Sequence, residues 1–138
     1  MDSERLAPLY VKTLVSIEES GSLVAAGESS LARDSVVHVI TAWNSGDERP
    51  TREQNDAANR VLRDCLVDRG LHPHRAVGAD PDSEHFEESW AVVGLDDQEA
   101  RAIGAAFGQV AVFRISDGMQ TVLACSEDWS LSRRLKDF

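Results

Sequence analysis

The sequence predicts an α+β domain, a ferredoxin-like split βαβ sheet ordered β-α-β-β-α-β-β, with an N-terminal strand or hairpin extension. Three observations carry this expectation. Thr51-x-x-Gln54 and Asp96-x-x-Glu99 are capping boxes, each placed just before a run of apolar residues at helical spacing. Gly70 and Gly108 stand where those runs end, as left-handed helix stops. Asp117-Gly118, between two β-rich runs, is the pair that a two-residue type I′ hairpin turn requires. The 138 residues are enough for one core. We therefore expect a single domain over 1–138, with its core at 36–125, an extension at 1–35 and a tail at 126–138.

The elements follow in order. Residues 9–17, "LYVKTLVSI", are rich in β-branched and aromatic residues, and "ESGS" precedes "LVAA", which reads as a hairpin or two short strands. "GESSLARDS" reads as a polar linker. Residues 36–43 are nearly all apolar, as in a central strand covered on both faces. In the first helix Ala58, Val61, Leu62, Cys65 and Leu66 form the apolar face. "HPHRAVG" reads as a strand entered after Pro73, which cannot donate a ladder hydrogen bond. Residues 79–88 read as an acidic loop, and "SWAVVGL" as the next strand. In the second helix Ala100, Ile103, Gly104 and Phe107 should face inward. "QVAVFRIS" and "MQTVLAC" make the closing hairpin, while "SEDWSLSRRLKDF" is ambiguous.

Charge and composition exclude several functions. A net charge of −10 opposes binding along a phosphate backbone, which needs a Lys/Arg surface, and opposes an anionic membrane. An apolar content of 42% beside 28% charged residues is that of a soluble globular protein. The N-terminus carries no secretion signal and no apolar run reaches membrane-spanning length. Cys65 and Cys125 lie outside any CxxC spacing and read as reduced core residues of a cytoplasmic protein. Neither G-x-x-x-x-G-K-[ST] nor G-x-G-x-x-G is present, so no nucleotide cofactor is expected.

"VITAWNSGDERPTREQNDAANRVLRD", "ESWAVVGL" and "FGQVAVFRISDG" together resemble a widespread bacterial family of small proteins of unknown function. In that family the strand commonly ends T-A-W-N-P, followed by a Ser and an R-P-T-x-x-x-N pattern. The resemblance spans residues 36–118 and is most specific at Thr41, Trp43, Asn44 and Asn55. This chain departs from it with Ser45 where the family has Pro. The resemblance implies a small α/β cytoplasmic protein and confers no activity.

The Thr41–Asn55 stretch is the first candidate site, with Trp43, Asn44, Ser45, Arg49, Thr51 and Asn55 as ligand-binding candidates. Spacing puts Asn55 on the inward face of the helix's first turn, able to reach back to the strand exit, beside N–H groups that favour anions. In this reading Asn44 and Asn55 orient a ligand, Arg49 meets an anionic group and Thr51 chiefly caps. The competing reading is that the two amides only tie the loop to the helix, as Asn usually does in turns. The first and third core strands are expected side by side and parallel, which brings "GLDD" to the same end. Asp96 and Asp97 would then offset the anion preference and leave a neutral hydrogen-bonded knot. His72, His74 and His85, near Asp80, Asp82 and Glu84, fit a zinc site only loosely, and no metal is expected. No G-x-S-x-G elbow or adjacent Cys–His pair marks a nucleophile. The leading expectation is a small binding or regulatory module with a protein partner or a second copy of itself. The alternative is a small enzyme or small-molecule binder using the Thr41–Asn55 loop.

Overall fold

The computed structural model describes residues 3–44 and 49–137. Ser45, one of the candidate residues, lies outside them. The described residues form one antiparallel sheet of eight strands flanked by helices on both faces. In chain order these are α1 (Ala7–Val11), β1 (Leu14–Glu19), β2 (Ser22–Ala25), α2 (Ser30–Asp34), β3 (Val37–Ile40), α3 (Arg52–Asp68), β4 (His74–Ala79), β5 (Phe86–Val93), α4 (Asp97–Ala106), β6 (Ala111–Ser116), β7 (Met119–Ala124) and β8 (Ser130–Arg134). The strands lie in the order β2-β1-β4-β5-β3-β6-β7-β8.

The strongest local signals set the frame. Both capping boxes form, Thr51 with Gln54 and Asp96 with Glu99. Gly70 and Gly108 take positive φ of 83° and 72°, the left-handed stop that only glycine adopts without strain. Asp117 and Gly118 take φ of 52° and 71°, the pair of positive values that defines the type I′ turn between β6 and β7. All four residues of β3 are buried, as its apolar run predicted, and it lies between β5 and β6.

Alternation along the strands sorts two cores. On one face Leu62 and Leu66 of α3, with Ala100 and Ile103 of α4, pack on Ile40, Val92, Val112 and Leu123. On the other, Val15, Ile17, Val37, Val39, Ala76, Ala91 and Ile115 meet Leu31 and Ala32 of α2. The sheet curls towards this second face, and α1 lies in the hollow, with Ala7 and Val11 against Val122, Ala124 and Trp129. Gln120 of β7 fastens it there, its amide donating to the carbonyls of Val11 and Thr13 at 3.3 and 2.8 Å.

Several expectations need correction. Residues 9–11 are helical, because Pro8 in the first turn starts α1 and the strand begins only at Leu14. The stretch expected as a linker holds a 3-10 turn (Ala26–Glu28) and α2, capped by the Ser29 hydroxyl accepting from Ala32 N–H. The acidic stretch is shorter than expected, since β5 starts at Phe86, and Asp80 N–H donates to His85 O across the loop. The tail adds β8 to the sheet. Val61 is 60% exposed, one position off the stripe that α3 buries.

The expected parallel pairing of the first and third core strands is overturned: β3 and β5 are antiparallel, with Val37 opposite Val93 and Ile40 opposite Trp90. The β4–β5 hairpin reverses the chain, so β5 runs against both β4 and β3. The segment "GLDD" therefore leaves the sheet where β3 begins, far from Asn44. Asp96 and Asp97 play no part at the strand exit.

Candidate functional site

The chain leaves β3 through Thr41, Ala42, Trp43 and Asn44, past the end of the ladder, so its backbone N–H groups need other acceptors. Three of them find a side chain. Ala42 N–H donates to Asn59 Oδ1 at 3.2 Å, Trp43 N–H to Thr41 Oγ1 at 3.0 Å, and Asn44 N–H to Asn55 Oδ1 at 2.8 Å. The Trp43 carbonyl accepts from Gln109 Nε2 at 3.1 Å, and Thr41 Oγ1 donates to Glu88 O at 2.7 Å. Asn59 is fixed in turn, because its own carbonyl accepts from Trp90 Nε1 at 2.9 Å. Asn55 thus reaches the strand exit, as its helical spacing predicted.

Asn44 has φ of 54°, in the left-handed region that Asn tolerates better than other non-glycine residues. That turn lets its side chain work in two directions. Oδ1 accepts from Asn55 Nδ2 at 3.1 Å, and Nδ2 donates to Glu87 Oε2 at 2.8 Å. Trp43 is buried, its ring 5.7 Å from that of Phe86, and the Arg52 guanidinium lies 5.3 Å from one ring and 5.5 Å from the other. Thr51 caps α3, while Arg49 is exposed and away from the amide pair's hydrogen bonds. Of the residues singled out in the sequence, Trp43, Asn44, Thr51 and Asn55 come together at this corner.

Glu87, which Asn44 holds, lines a cleft that the sequence did not reveal. On the concave face, between α1 and the floor of the sheet, lies a hollow of about 390 Å³. Val39, Thr41, Ser89, Ala111 and Phe113 supply its floor, and Tyr10, Lys12 and Thr13 its α1 side. Glu87, His85, Asp80 and Asp82 contribute the polar rim. His85 Nε2 lies 3.4 Å from Glu87 Oε2. Burial pushes the Tyr10 phenol above its usual range, and the negative charge of Glu87 pushes it the same way. Asp80 is held below the ordinary carboxylate range by the Asp82 N–H and the Ser83 hydroxyl.

Strand period explains why Glu87 escaped notice. The acidic composition of residues 79–88 reads as loop, which hides alternation. With β5 beginning at Phe86, Glu87 and Ser89 line the hollow and Ala91 lies on the same face, while Glu88, Trp90 and Val92 lie on the face that carries α3 and α4. Of the histidines weighed as metal ligands, only His85 lines the cleft; His72 and His74 are exposed elsewhere. Among the described residues no three His, Cys, Asp or Glu side chains converge as a metal set.

His38 was also missed, because it sits inside an apolar strand run. It is fully buried, with Nε2 2.8 Å from Asp97 Oδ1, and Asp97 is hydrogen-bonded to Arg114. Arg114 lies opposite His38 on β6, which explains how three polar groups meet at that end of the sheet. Burial alone would raise the Asp97 pKa. The His38 hydrogen bond and the Arg114 charge outweigh it, and the group lies below its ordinary value.

Fold and site together define an α+β protein with a curled antiparallel sheet, whose concave face carries a polar-rimmed cleft braced by an amide pair. The model of a family described as "Protein of unknown function (DUF3293)" matches residues 40–112, just over half of the chain, so the chain belongs to that family. Both amides and Glu87 lie within the matched segment; α1 precedes it. No curated protein and no solved structure matches the chain. No described helix is long and apolar enough to cross a membrane.

Proposed function

We propose that the protein is a small-molecule-binding module whose ligand occupies the concave cleft under α1, with Asn44 and Asn55 supporting the site from behind. One observation carries this reading. The hollow is walled by fixed elements and combines an apolar floor with a few polar side chains, as small-molecule sites generally do. Asn44 and Asn55 engage each other and the backbone, which supports a bracing role over direct ligand contact. The order β4-β5-β3-β6, with α3 and α4 packed on one face, favours a ferredoxin-like core to which the other four strands are added. Two free, half-buried cysteines suit a reducing, cytoplasmic setting.

The test is a panel of small fragments followed by amide chemical shifts of the labelled protein. Shifts grouped at Thr41, Gly78, Ser89 and Ala111 would support the cleft. A second reading draws on the two sheet edges: Leu23 on β2 and Leu131 on β8 are 41% and 37% exposed. Unpaired strand edges are ready-made sites for a partner strand or a second copy. Concentration-dependent self-association with changes confined to β2 and β8, and no fragment response in the cleft, would favour that reading instead.

A further inference from the structure

Two adjacent glutamates of β5 receive opposite electrostatic treatment. Glu88, on the helix face, is clamped by Arg75, with Nε 2.8 Å from Oε1 and Nη2 3.0 Å from Oε2. That is the geometry of a neutralised carboxylate. Glu87, facing the cleft, is held by the neutral amide of Asn44 at 2.8 Å on Oε2. The nearest cation-capable group is His85, at 3.4 Å from the same oxygen. Among the described residues, Oε1 has no hydrogen-bond partner. A carboxylate positioned by an amide keeps its charge available, whereas one positioned by a guanidinium does not.

The surroundings favour the same sign. Asp80 and Asp82 share the rim with Glu87, and Lys12 is the one lysine or arginine in the lining. The whole chain carries −10, which adds to the negative charge of the rim. Tyr10 and Phe113 supply aromatic surface to the same hollow, and aromatic faces attract cations. The floor offers apolar contact from Val39 and Ala111. Of these groups only Lys12 would favour an anion, and the three carboxylates Asp80, Asp82 and Glu87 oppose it.

We propose that the cleft takes a small organic cation, an amine whose ammonium group meets Glu87 and whose apolar body rests against Tyr10, Phe113 and the sheet floor. This rests on the cleft reading above. Asn55 then acts through Asn44 as a positioning residue for Glu87, which connects the sequence motif to the ligand without direct contact.

Benzylamine, benzyl alcohol and benzoate have one shape and three charges, and titrating each into labelled protein separates charge from fit. Benzylamine is expected to shift the amides of Thr41, Ser89 and Ala111 and to bind at least tenfold more tightly than benzyl alcohol. Benzoate should not bind. Glu87→Gln keeps an acceptor for Asn44 and should erase the tenfold preference, while Glu88→Gln on the opposite face should retain it. Raising the salt concentration should narrow the preference as screening shortens the reach of the carboxylates. Benzyl alcohol or benzoate binding at those amides as well as benzylamine overturns the cation assignment and leaves the cleft standing. So does a benzylamine preference that survives Glu87→Gln. If none of the three moves those amides, the cation assignment fails. If the fragment panel leaves them unmoved as well, the cleft reading falls with it.

Discussion

Replacing Asn55 by Ala tests whether the strand exit is a brace. Asn55 is 6% exposed and makes two contacts with one residue, Oδ1 accepting from Asn44 N–H at 2.8 Å and Nδ2 donating to Asn44 Oδ1 at 3.1 Å. Truncation strands a backbone N–H in a conformation with φ of 54°, where the ladder offers no substitute acceptor. A buried group left unpaired costs about 1–3 kcal/mol. Alanine recovers roughly 0.5 kcal/mol through helix propensity, less than the loss. The expected result is a destabilisation of about 0.5–2.5 kcal/mol, read from urea melts with an unchanged slope. For a chain of this size that lowers Tm by roughly 2–9 °C. Asn55→Asp separates the two bonds, because it keeps the acceptor for Asn44 N–H and turns the second contact into oxygen against oxygen. It should fall between wild type and Ala. A Tm within about 1 °C of wild type for Ala would sink the bracing argument. If benzylamine binding then vanished, Asn55 would be a ligand-contacting residue instead.

Three further outcomes are expected. Gly104→Ala should destabilise by about 1–3 kcal/mol despite its better helix propensity, as overpacking does. A Cβ there would lie 2.5 Å from Cys125 Sγ and 2.6 Å from Val112 Cγ1, so thermal melts should show Cys125→Ala restoring part of the loss. Asp97→Asn should lower stability at pH 7, and because the folded carboxyl titrates below its unfolded value, the stabilisation is present above about pH 4 and lost below it. Denaturant melts from pH 7 down to pH 3 should therefore show wild type and variant converging in acid. Burial pushes the Cys125 thiol up to about 12, so iodoacetamide at pH 8 should leave it unmodified in the native protein and alkylate it once unfolded, as mass spectrometry of peptides would report.

What could be read from the sequence divides by the range of the forces involved. The two long helices α3 and α4, their caps, their glycine stops and the β6–β7 turn are local, and each was legible from a few residues. The reach of Asn55 was legible too, since it depends only on helix geometry and a nearby strand end. The relative direction of β3 and β5 was not, because nothing local to either strand encodes it. It follows from the β4–β5 hairpin, whose second strand begins inside a stretch that reads as acidic loop. Mistaking Phe86–Glu88 for loop concealed the face on which Glu87 emerges. The role of α1 was hidden for another reason. Its five residues, "APLYV", are too few to show a helical period, and "LYV" is as good a strand as a helix. Only Pro8 argued for a helix start. His38 was overlooked because an apolar run invites the assumption that every member is packing.

The same alternation explains why a motif that looks like a site can serve as support. On β5 each step of one residue changes face, so Glu87 and Glu88 share a sequence neighbourhood but not an environment. Glu88 joins Arg75, with Glu18 of β1 3.6 Å from the same guanidinium, in an exposed network worth little on its own. Glu87 enters a hollow that α1 makes concave. Holding a carboxylate there with arginine would neutralise it, and leaving it unheld would let it rotate towards solvent. A neutral amide avoids both, but that amide must itself be fixed. Asn44 is fixed by its left-handed turn and by Asn55, and Asn55 by its place in the first turn of α3, where the Thr51–Gln54 box anchors the helix start. The strand-to-helix corner is thus mechanically continuous with the cleft. Changes at Asn44 and Asn55 should therefore reach ligand selectivity through Glu87, and a screen that looked only for residues touching the ligand would miss them.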